Sequence, residues 1–260
     1  MNRIAKRTVT ALSTAALVVG LMLYLPFSAV LPAMIVLIGL VHLEFSQMTA
    51  KKHEIMTWTG GLAGLSWLVC VFYTGLAQKI AGGVFAASFL AMWVGTLFGK
   101  AEKPLASLGT TMLGLFYIPF MLTWFVKIPQ IHGMMMLLYV VAIIKISDMG
   151  GFAFGVAFGK HKMCPRISPG KSWEGMAGSI FASIVISCAF MPITRFGVWK
   201  AIAFGVVAAV VGTLGDLIES RFKRECGVKD SATFMPAGMG GFLDMFDSLV
   251  FAPAVLYPFI

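Results

Sequence analysis

The chain has 260 residues, of which 59% are apolar and 12% are charged, and its formal net charge is +9. Soluble domains are nearer half apolar and a quarter charged, so this composition excludes an ordinary soluble globular protein. Because one membrane span needs about 20 residues, the apolar content suffices for roughly seven to ten crossings of a bilayer. We therefore predict an all-α, polytopic integral membrane protein with one domain over residues 1–260.

Apolar runs, separated by charged residues or by Pro and Gly, predict about nine transmembrane helices along the chain. The first run follows Arg3, Lys6 and Arg7 in the manner of a signal peptide, but it is long and no clear small-x-small cleavage site precedes the next run. We therefore interpret it as a helix. The predicted spans are 9–25, 27–46, 57–77, 80–98, 105–126, 133–158, 173–193, 199–218 and 242–259.

The positive charges predict which side of the membrane each loop faces, because Lys and Arg accumulate in short cytoplasmic loops. With the amino terminus in the cytoplasm, the inside segments hold fifteen of the 20 Lys and Arg residues. The outside turns hold only Lys79, Lys127, Arg195 and Lys200. This alternation predicts a cytoplasmic amino terminus and a carboxyl terminus outside. The inside cations are Arg3, Lys6, Arg7, Lys51, Lys52, Lys100, Lys103, Lys160, Lys162, Arg166, Lys171, Arg221, Lys223, Arg224 and Lys229.

All eleven Asp and Glu residues fall in inside loops or near the inner ends of spans, although no positional rule forces carboxylates to one side. Short outside turns could explain the absence of acids there, but the same turns hold four cations. We therefore expect a polar site that faces the cytoplasm. The acids are Glu44, Glu54, Glu102, Asp148, Glu174, Asp216, Glu219, Glu225, Asp230, Asp244 and Asp247.

The first polar block runs from Asp148 to Gly175, around the sixth and seventh predicted spans. Its Pro and Gly content predicts a loop, and Ser172 is a suitable cap for the helix that begins at Trp173. Orientation alone also produces basic loops, so composition does not by itself establish a binding site in this block.

The second polar block, Gly215–Ser248, is the densest, and it joins the eighth predicted span to the ninth. Two trios of residues in it repeat the spacing i, i+3, i+4, so the members of each trio share one helix face. The trios are Asp216, Glu219 and Ser220, and Asp244, Asp247 and Ser248. Carboxylates that face each other across a hairpin form a cage of hard oxygen ligands suited to Mg²⁺. We therefore predict that Asp216, Asp244 and Asp247 bind a metal.

Two further interpretations concern the charges of the second block. An ionised carboxylate at the centre of a span costs about 2.5–3.5 kcal/mol, so clustered carboxylates indicate either function or ion pairing. Ion pairing with the basic residues in 221–224 stays open for Glu219 and Glu225. Basic residues beside the glycine-rich stretch 236–241 are also suited to hold phosphate oxygens.

With both blocks, the sequence resembles the phosphatidate cytidylyltransferase family, also called the CDP-diacylglycerol synthases. The carboxyl-terminal signature of that family is similar to Gly215-Asp216-Leu217, Glu219-Ser220, Lys223-Arg224, Gly227-Val228-Lys229-Asp230-Ser231, Pro236, Gly240-Gly241, Leu243-Asp244 and Asp247-Ser248. Its upstream element is similar to Pro165-Arg166-Ile167-Ser168-Pro169, Lys171 and Trp173-Glu174-Gly175, preceded by Asp148 and Gly159-Lys160. The resemblance implies that residues 145–260 carry the active site. Residues 1–130 are similar to the family only in that they form a scaffold of hydrophobic helices.

This sequence departs from the family pattern in three places. Where the family usually has Pro-Gly-His-Gly-Gly, residues 236–241 are one residue longer, and Met239 stands in the approximate place of the histidine. Met245 replaces the arginine commonly found between the last two aspartates, and Ala232 replaces a glycine. A direct chemical role for that histidine or arginine is therefore open here, whereas every carboxylate suited to a metal is retained.

The resemblance implies that CTP reacts with phosphatidate to give CDP-diacylglycerol and pyrophosphate at the cytoplasmic face of a bacterial-type inner membrane. It implies Mg²⁺ as cofactor, with K⁺ as a candidate second cation. The expected partners are both substrates and the lipid bilayer, without nucleic acid, and a homodimer is an assembly to be tested.

The roles expected of individual residues combine this resemblance with their charges. The expected catalytic residues are Asp216, Lys229, Asp230, Asp244 and Asp247, three of which are the metal ligands named above. The expected substrate-binding residues are Arg166, Ser168, Lys171, Glu219, Ser220, Lys223, Arg224 and Ser248.

Two other classes of function stay open from the sequence. A CTP-dependent kinase for polyprenol or phytol would use the same carboxylates and basic loops, with Asp230 as the base. It would release CDP, whereas nucleotidyl transfer releases pyrophosphate. A membrane ion transporter would use Lys145 and Asp148 as intramembrane charges. Against a transporter, the polar groups cluster on one side and no repeat relates the two halves.

Overall fold

The computed structural model describes residue 20 and residues 24–50, 56–98, 102–231 and 241–260. Most of these residues are helical. The helices are α1 (Phe27–Ala50), α2 (Thr57–Phe72), α3 (Leu76–Phe98), α4 (Pro104–Leu115), α5 (Met121–His132), α6 (Met134–Phe158), α7 (Trp173–Ala189), α8 (Met191–Thr194), α9 (Val198–Glu225), α10 (Phe242–Phe246) and α11 (Ala252–Leu256). A π-helical segment (Phe116–Phe120) joins α4 to α5, and 3₁₀ segments follow α10 (Asp247–Leu249) and α11 (Tyr257–Phe259).

Within the described residues, six helical segments are long and apolar enough to cross a membrane. They are Phe27–Ala50, Leu76–Phe98, Pro104–His132, Met134–Phe158, Val198–Glu225 and Phe242–Phe259. Helices α2 and α7 are also apolar but shorter, with 16 and 17 residues. Large apolar side chains such as Leu97 and Trp199 are exposed, which suits a surface that faces lipid. The chain is thus an all-α polytopic membrane protein.

Eight of the nine predicted spans coincide with helices of the structure. The remaining one, residues 9–25, lies almost entirely outside the described residues. The count of nine and the sides of the two termini therefore stay predictions.

Residues 162–172 form a β-hairpin where we predicted a loop. Strands β1 (Lys162–Cys164) and β2 (Ser168–Ser172) are antiparallel, with Lys162 opposite Ser172. The loop prediction was wrong because strands of three and five residues, interrupted by Pro and Gly, are too short to show an alternating pattern. The predicted cap is confirmed, since the Ser172 hydroxyl accepts a hydrogen bond from the Gly175 N–H at 3.1 Å.

Small residues allow α6, α7 and α9 to pack against each other at close range. A Cβ atom on Gly205 of α9 would lie only 2.9 Å from the Cα of Ile184 in α7. The Ser183 hydroxyl donates to the carbonyl oxygen of Gly205 at 2.8 Å. Glycine and serine at such contacts are typical of helix interfaces in membranes. The hairpin between α6 and α7 is therefore attached to closely packed helices.

The last predicted span, 242–259, is broken into short helical segments. Gly215 lets this broken segment approach α9, because a Cβ atom there would lie 2.5 Å from the carbonyl oxygen of Asp247. The Ser248 N–H donates to the side chain of Asp247 at 2.5 Å, a local bond that competes with regular helix. The break places the backbone of Asp247 directly against α9.

Candidate active site

Three carboxylates meet where α9 faces the 3₁₀ segment after α10. Asp216 and Glu219 lie one turn apart on α9, as their spacing predicted, and Asp247 comes from the facing segment. One ligand oxygen from each residue lies within 4.8 Å of the others, which allows a single cation to contact all three. We call Asp216, Glu219 and Asp247 the carboxylate cluster.

The chemistry of the carboxylate cluster fits a hard divalent cation. Glu219 is completely buried, and its Oε1 atom has no hydrogen-bond partner in the described part of the chain. An unpaired buried carboxylate oxygen is costly, and a bound cation would satisfy it. Mg²⁺ prefers carboxylate oxygens combined with the phosphate oxygens of a substrate.

Asp244, the third predicted metal ligand, lies beside this cluster and is held by hydrogen bonds. Its Oδ1 accepts from the Lys223 ammonium at 2.6 Å. Its Oδ2 accepts from the Ser231 N–H at 3.1 Å, the Ser231 hydroxyl at 3.0 Å and the Gly241 N–H at 2.7 Å. Asp244 therefore binds the backbone N–H groups of both Ser231 and Gly241.

Two lysines pair with the acids of the site. The Lys171 ammonium, from the end of β2, lies 2.6 Å from Asp216 Oδ2. The Lys223 ammonium lies 2.9 Å from Glu219 Oε2 as well as 2.6 Å from Asp244. The ion pairing left open for Glu219 is therefore present, and it occupies one of the two oxygens of that carboxylate.

In the described part of the chain, the acidic groups of the site outnumber the cations that pair or interact electrostatically with them. The acids are Asp148, Asp216, Glu219, Asp244 and Asp247, and the cations are Lys145, Lys171 and Lys223. If all of these groups are ionised, two negative charges remain, which a divalent cation would balance. Charges in a region of low dielectric interact strongly, so this excess favours cation binding.

Both predicted serines of the trios contact the cluster. The Ser220 hydroxyl donates to Asp216 Oδ1 at 3.3 Å. Ser248 is completely buried and contacts Asp247 through its backbone N–H. These two serines therefore orient carboxylates of the cluster.

The remaining predicted residues lie around the hairpin and the end of α9. The Arg224 guanidinium donates to the carbonyl oxygen of Ile167 at 3.4 Å, which connects α9 to the hairpin turn. Ser168 is half-buried, and the exposed residues are Arg166, Lys229 and Asp230. The structure does not bring these three exposed side chains into the carboxylate cluster.

The sequence analysis named Glu44 and Lys145 but gave them no role in the active site. Glu44 is completely buried in α1, and its Oε2 accepts from the Leu243 N–H at 2.9 Å. Lys145 of α6 donates to Met245 and Ser248. Both are ionisable residues inside membrane spans, and that location was the signal that could have identified them.

The glycine-rich stretch at 236–241 lies outside the described residues except for Gly241. The predicted phosphate contacts of this stretch, and the consequences of Met239 and Ala232, therefore stay predictions.

Comparison with known proteins identifies similar sequences. The model of the cytidylyltransferase family matches residues 5–260. Phosphatidate cytidylyltransferase of Haemophilus influenzae is 42% identical over 127 residues, which cover 46% of this chain and 44% of that protein. The proteins of the same name from Staphylococcus aureus strain COL and Staphylococcus saprophyticus are 41% and 38% identical over 127 residues, which cover 48% of each chain. The alignments thus span about half the length of these curated relatives.

Proposed function

This chain belongs to the cytidylyltransferase family, and we propose that it transfers the cytidylyl group of CTP to phosphatidate, giving CDP-diacylglycerol and pyrophosphate. The names of the curated relatives support this choice of lipid. The observation that carries the proposal is the meeting of the carboxylate cluster with Lys171 and Lys223 inside a membrane protein of this family.

The location of the site suits a reaction between a soluble nucleotide and a lipid. Asp216 belongs to a membrane-spanning helix, whereas its partner Lys171 comes from the hairpin between two helices. The site therefore combines a hairpin that connects two helices with residues of the membrane-spanning helices. A lipid phosphate could reach it from between the helices, and a nucleotide triphosphate from the hairpin.

The proposed reaction needs little covalent help from the protein. An oxygen of the lipid phosphate attacks the α-phosphorus of CTP, a new P–O bond forms, and the bond to pyrophosphate breaks. Phosphatidate is already anionic, so the reaction requires no serine or histidine base. Such transfers depend mainly on alignment and on neutralisation of charge.

Basic side chains provide that neutralisation. We propose that Lys223, Arg224 and Lys229 bind the triphosphate and the departing pyrophosphate. These cations lie in the last turn of α9 and just after it, and cationic side chains are suited to bind a polyphosphate. Arg166, Ser168 and Lys171 are assigned to the lipid phosphate or the nucleotide. Lys171 and Lys223 also hold Asp216 and Glu219 in place, so substrate binding and the arrangement of the acids are coupled.

We propose Mg²⁺ as the cofactor, held by Asp216, Glu219 and Asp247. When bound, Mg²⁺ neutralises phosphate oxygens as a Lewis acid. Asp244, one of the predicted ligands, instead orients Lys223 and the start of α10 in this proposal. A second cation such as K⁺ stays a prediction.

We propose that the site faces the cytoplasm of a cell with a bacterial-type inner membrane, with the carboxyl terminus on the opposite side. The distribution of Lys and Arg supports this orientation. Reporter fusions to the carboxyl terminus test it, and a cytoplasmic reporter signal would contradict it. The predicted homodimer is tested by the mass of the purified protein in detergent.

The decisive experiment incubates the purified chain with radiolabelled CTP and phosphatidate, with and without Mg²⁺. We expect a labelled CDP-lipid and pyrophosphate only when Mg²⁺ is present. Release of CDP with a polyprenol or phytol acceptor would favour the lipid kinase instead. Absence of a CDP-lipid with every divalent cation tested would overturn the proposed function.

A further inference from the structure

Lys145 lies near the middle of α6, and the proposed reaction gives this residue no role. The helix is one of the six candidate membrane spans. A cation near the centre of a span is costly, so its presence indicates specific partners. The Lys145 ammonium donates to the carbonyl oxygen of Met245 at 3.0 Å and to the hydroxyl of Ser248 at 3.2 Å.

These two contacts lie on both sides of Asp247 in the chain. Met245 precedes Asp247 by two residues, and Ser248 follows it and donates its N–H to the Asp247 side chain. Met245 lies in the last turn of α10, where carbonyl groups have no partner within the helix. Lys145 provides such a partner from a helix that lies 100 residues earlier.

Lys145 also brings positive charge to the acidic side of the site. It interacts electrostatically with Asp148 and with Asp247. Its charge therefore faces these acids from α6, while its hydrogen bonds hold the backbone of the segment that carries Asp247.

We propose that Lys145 is a positioning residue of the active site. Its ammonium holds the segment 245–248 so that Asp247 faces Asp216 and Glu219. The catalytic part of this inference rests on the proposed function. The part that concerns the binding of a cation by the carboxylate cluster does not.

The test compares four full-length proteins: the wild type, K145M, the conservative variant K145R, and K200M as a matched control. Lys200 is exposed and lies over the Phe196 ring at 4.1 Å, near the opposite end of α9 from the cluster. Two properties are measured for each protein: the rate of CDP-lipid formation, and the affinity for Mn²⁺ without substrates by electron paramagnetic resonance. Mn²⁺ is a suitable probe because it also prefers oxygen ligands.

We expect K145M to lose about 10- to 100-fold in Mn²⁺ affinity and in rate, the usual cost of removing a group that orients metal ligands. Removal of the charge alone would raise the Mn²⁺ affinity, so a loss reports the positioning of Asp247. K145R should retain most of both properties, because its guanidinium keeps the donors. K200M should behave as the wild type. If K145M does not fold, K145Q carries the same comparison, since its amide retains a donor without the charge.

Three outcomes overturn the proposal. In the first, K145M binds Mn²⁺ at least as tightly as the wild type and turns over as the wild type does. In the second, both properties are lost in K145M and in K145R alike, and the unfolding temperature of K145M falls well below that of K200M, which would make Lys145 a packing residue only. In the third, the wild type binds no Mn²⁺. If the wild type binds Mn²⁺ but makes no CDP-lipid, the proposed function fails, and the Mn²⁺ affinities alone decide the role of Lys145.

Discussion

The helices of the first half of the chain, α1 to α5, pack differently from those of the second half, α6 to α11. In the first half a Cβ atom on Gly39 would meet the end of a flexible side chain, Leu65 Cδ2, at 2.9 Å. In the second half a Cβ atom on Gly205 would meet backbone, with the Cα of Ile184 at 2.9 Å. Contacts of the first kind can adjust, whereas contacts between backbones cannot.

Most acids of the site lie in the half of the chain whose helices contact each other through their backbones. The carboxylate cluster and Asp244 belong to the second half, and the first half contributes Glu44 through one hydrogen bond. Ionised groups in a cluster must be held in place against their mutual repulsion, which requires rigid support. We infer that the second half determines the geometry of the site and that the first half supports it from the side.

The largest expected effect concerns the carboxylate cluster itself. We expect D247N to lower Mg²⁺-dependent CDP-lipid formation by about 10³-fold, because a metal ligand contributes several kcal/mol to the transition state. The radiolabelled CTP assay measures this. The control is E102Q, which changes an exposed acid of the first half and should leave the rate unchanged. Near-normal activity of D247N would contradict the inference that the second half of the chain determines the geometry of the site.

The next effect concerns the ion pairs of Lys223. K223M leaves Glu219 and Asp244 without their shared cation, and breaking a buried pair costs about 3 kcal/mol or more. We expect a clear fall in the unfolding temperature of the purified protein in detergent. K127M, which removes a cation stacked on Trp124 in the first half, should cause a much smaller fall. An equal decrease in the unfolding temperatures of K223M and K127M would show that the two halves depend equally on their cations.

A third prediction tests the packing difference directly with one type of substitution in both halves. G205A forces a methyl group against the backbone of α7, and overpacking of this kind costs about 2 kcal/mol. G39A meets only the side chain of Leu65, which can rotate away, so its unfolding temperature should stay closer to that of the wild type. If G39A were the more destabilising variant, the comparison between the halves would be reversed.

The smallest expected effect concerns hydrogen bonds between helices. The Ser187 hydroxyl is completely buried, donates to the carbonyl oxygen of Ala201 at 2.7 Å and is also hydrogen-bonded to the Tyr139 hydroxyl at 2.7 Å. We expect S187A to cost about 0.6 kcal/mol for each of these two bonds, the average for such bonds in membranes. Ser66 of the first half bonds within its own helix, to Leu62, so S66A should cost less. Thermal unfolding of the two variants side by side resolves the difference.

Much of the fold was predictable because a membrane simplifies the choice of structure. In lipid every backbone group needs an internal partner, so an apolar run of sufficient length forms a helix. The positions of eight spans followed from this rule. The hairpin at 162–172 did not follow from this rule. It connects two closely packed helices, α6 and α7, and the composition of the segment itself does not indicate strand pairing.

The candidate site was predictable only where its residues are close in sequence. The pairing of Asp216 with Glu219 followed from helical spacing, and the meeting with Asp247 followed from the expected hairpin of two spans. The contacts of Lys145 and Glu44 join residues 100 and 199 positions apart, and no local pattern specifies them. The four hydrogen bonds of Asp244 likewise depend on how the chain folds around it.

The length of α7 has a consequence for the bilayer around the site. Its 17 residues rise about 25 Å, whereas the hydrocarbon core of a membrane is about 30 Å thick. If α7 spans the membrane as predicted, local thinning of the lipid around it is one way to accommodate the difference. Lys171 lies two residues before this helix, so thinning would bring the phosphates of neighbouring lipids down towards it. Hydrophobic mismatch would thus present the lipid headgroup to the enzyme without lifting the acyl chains out of the leaflet.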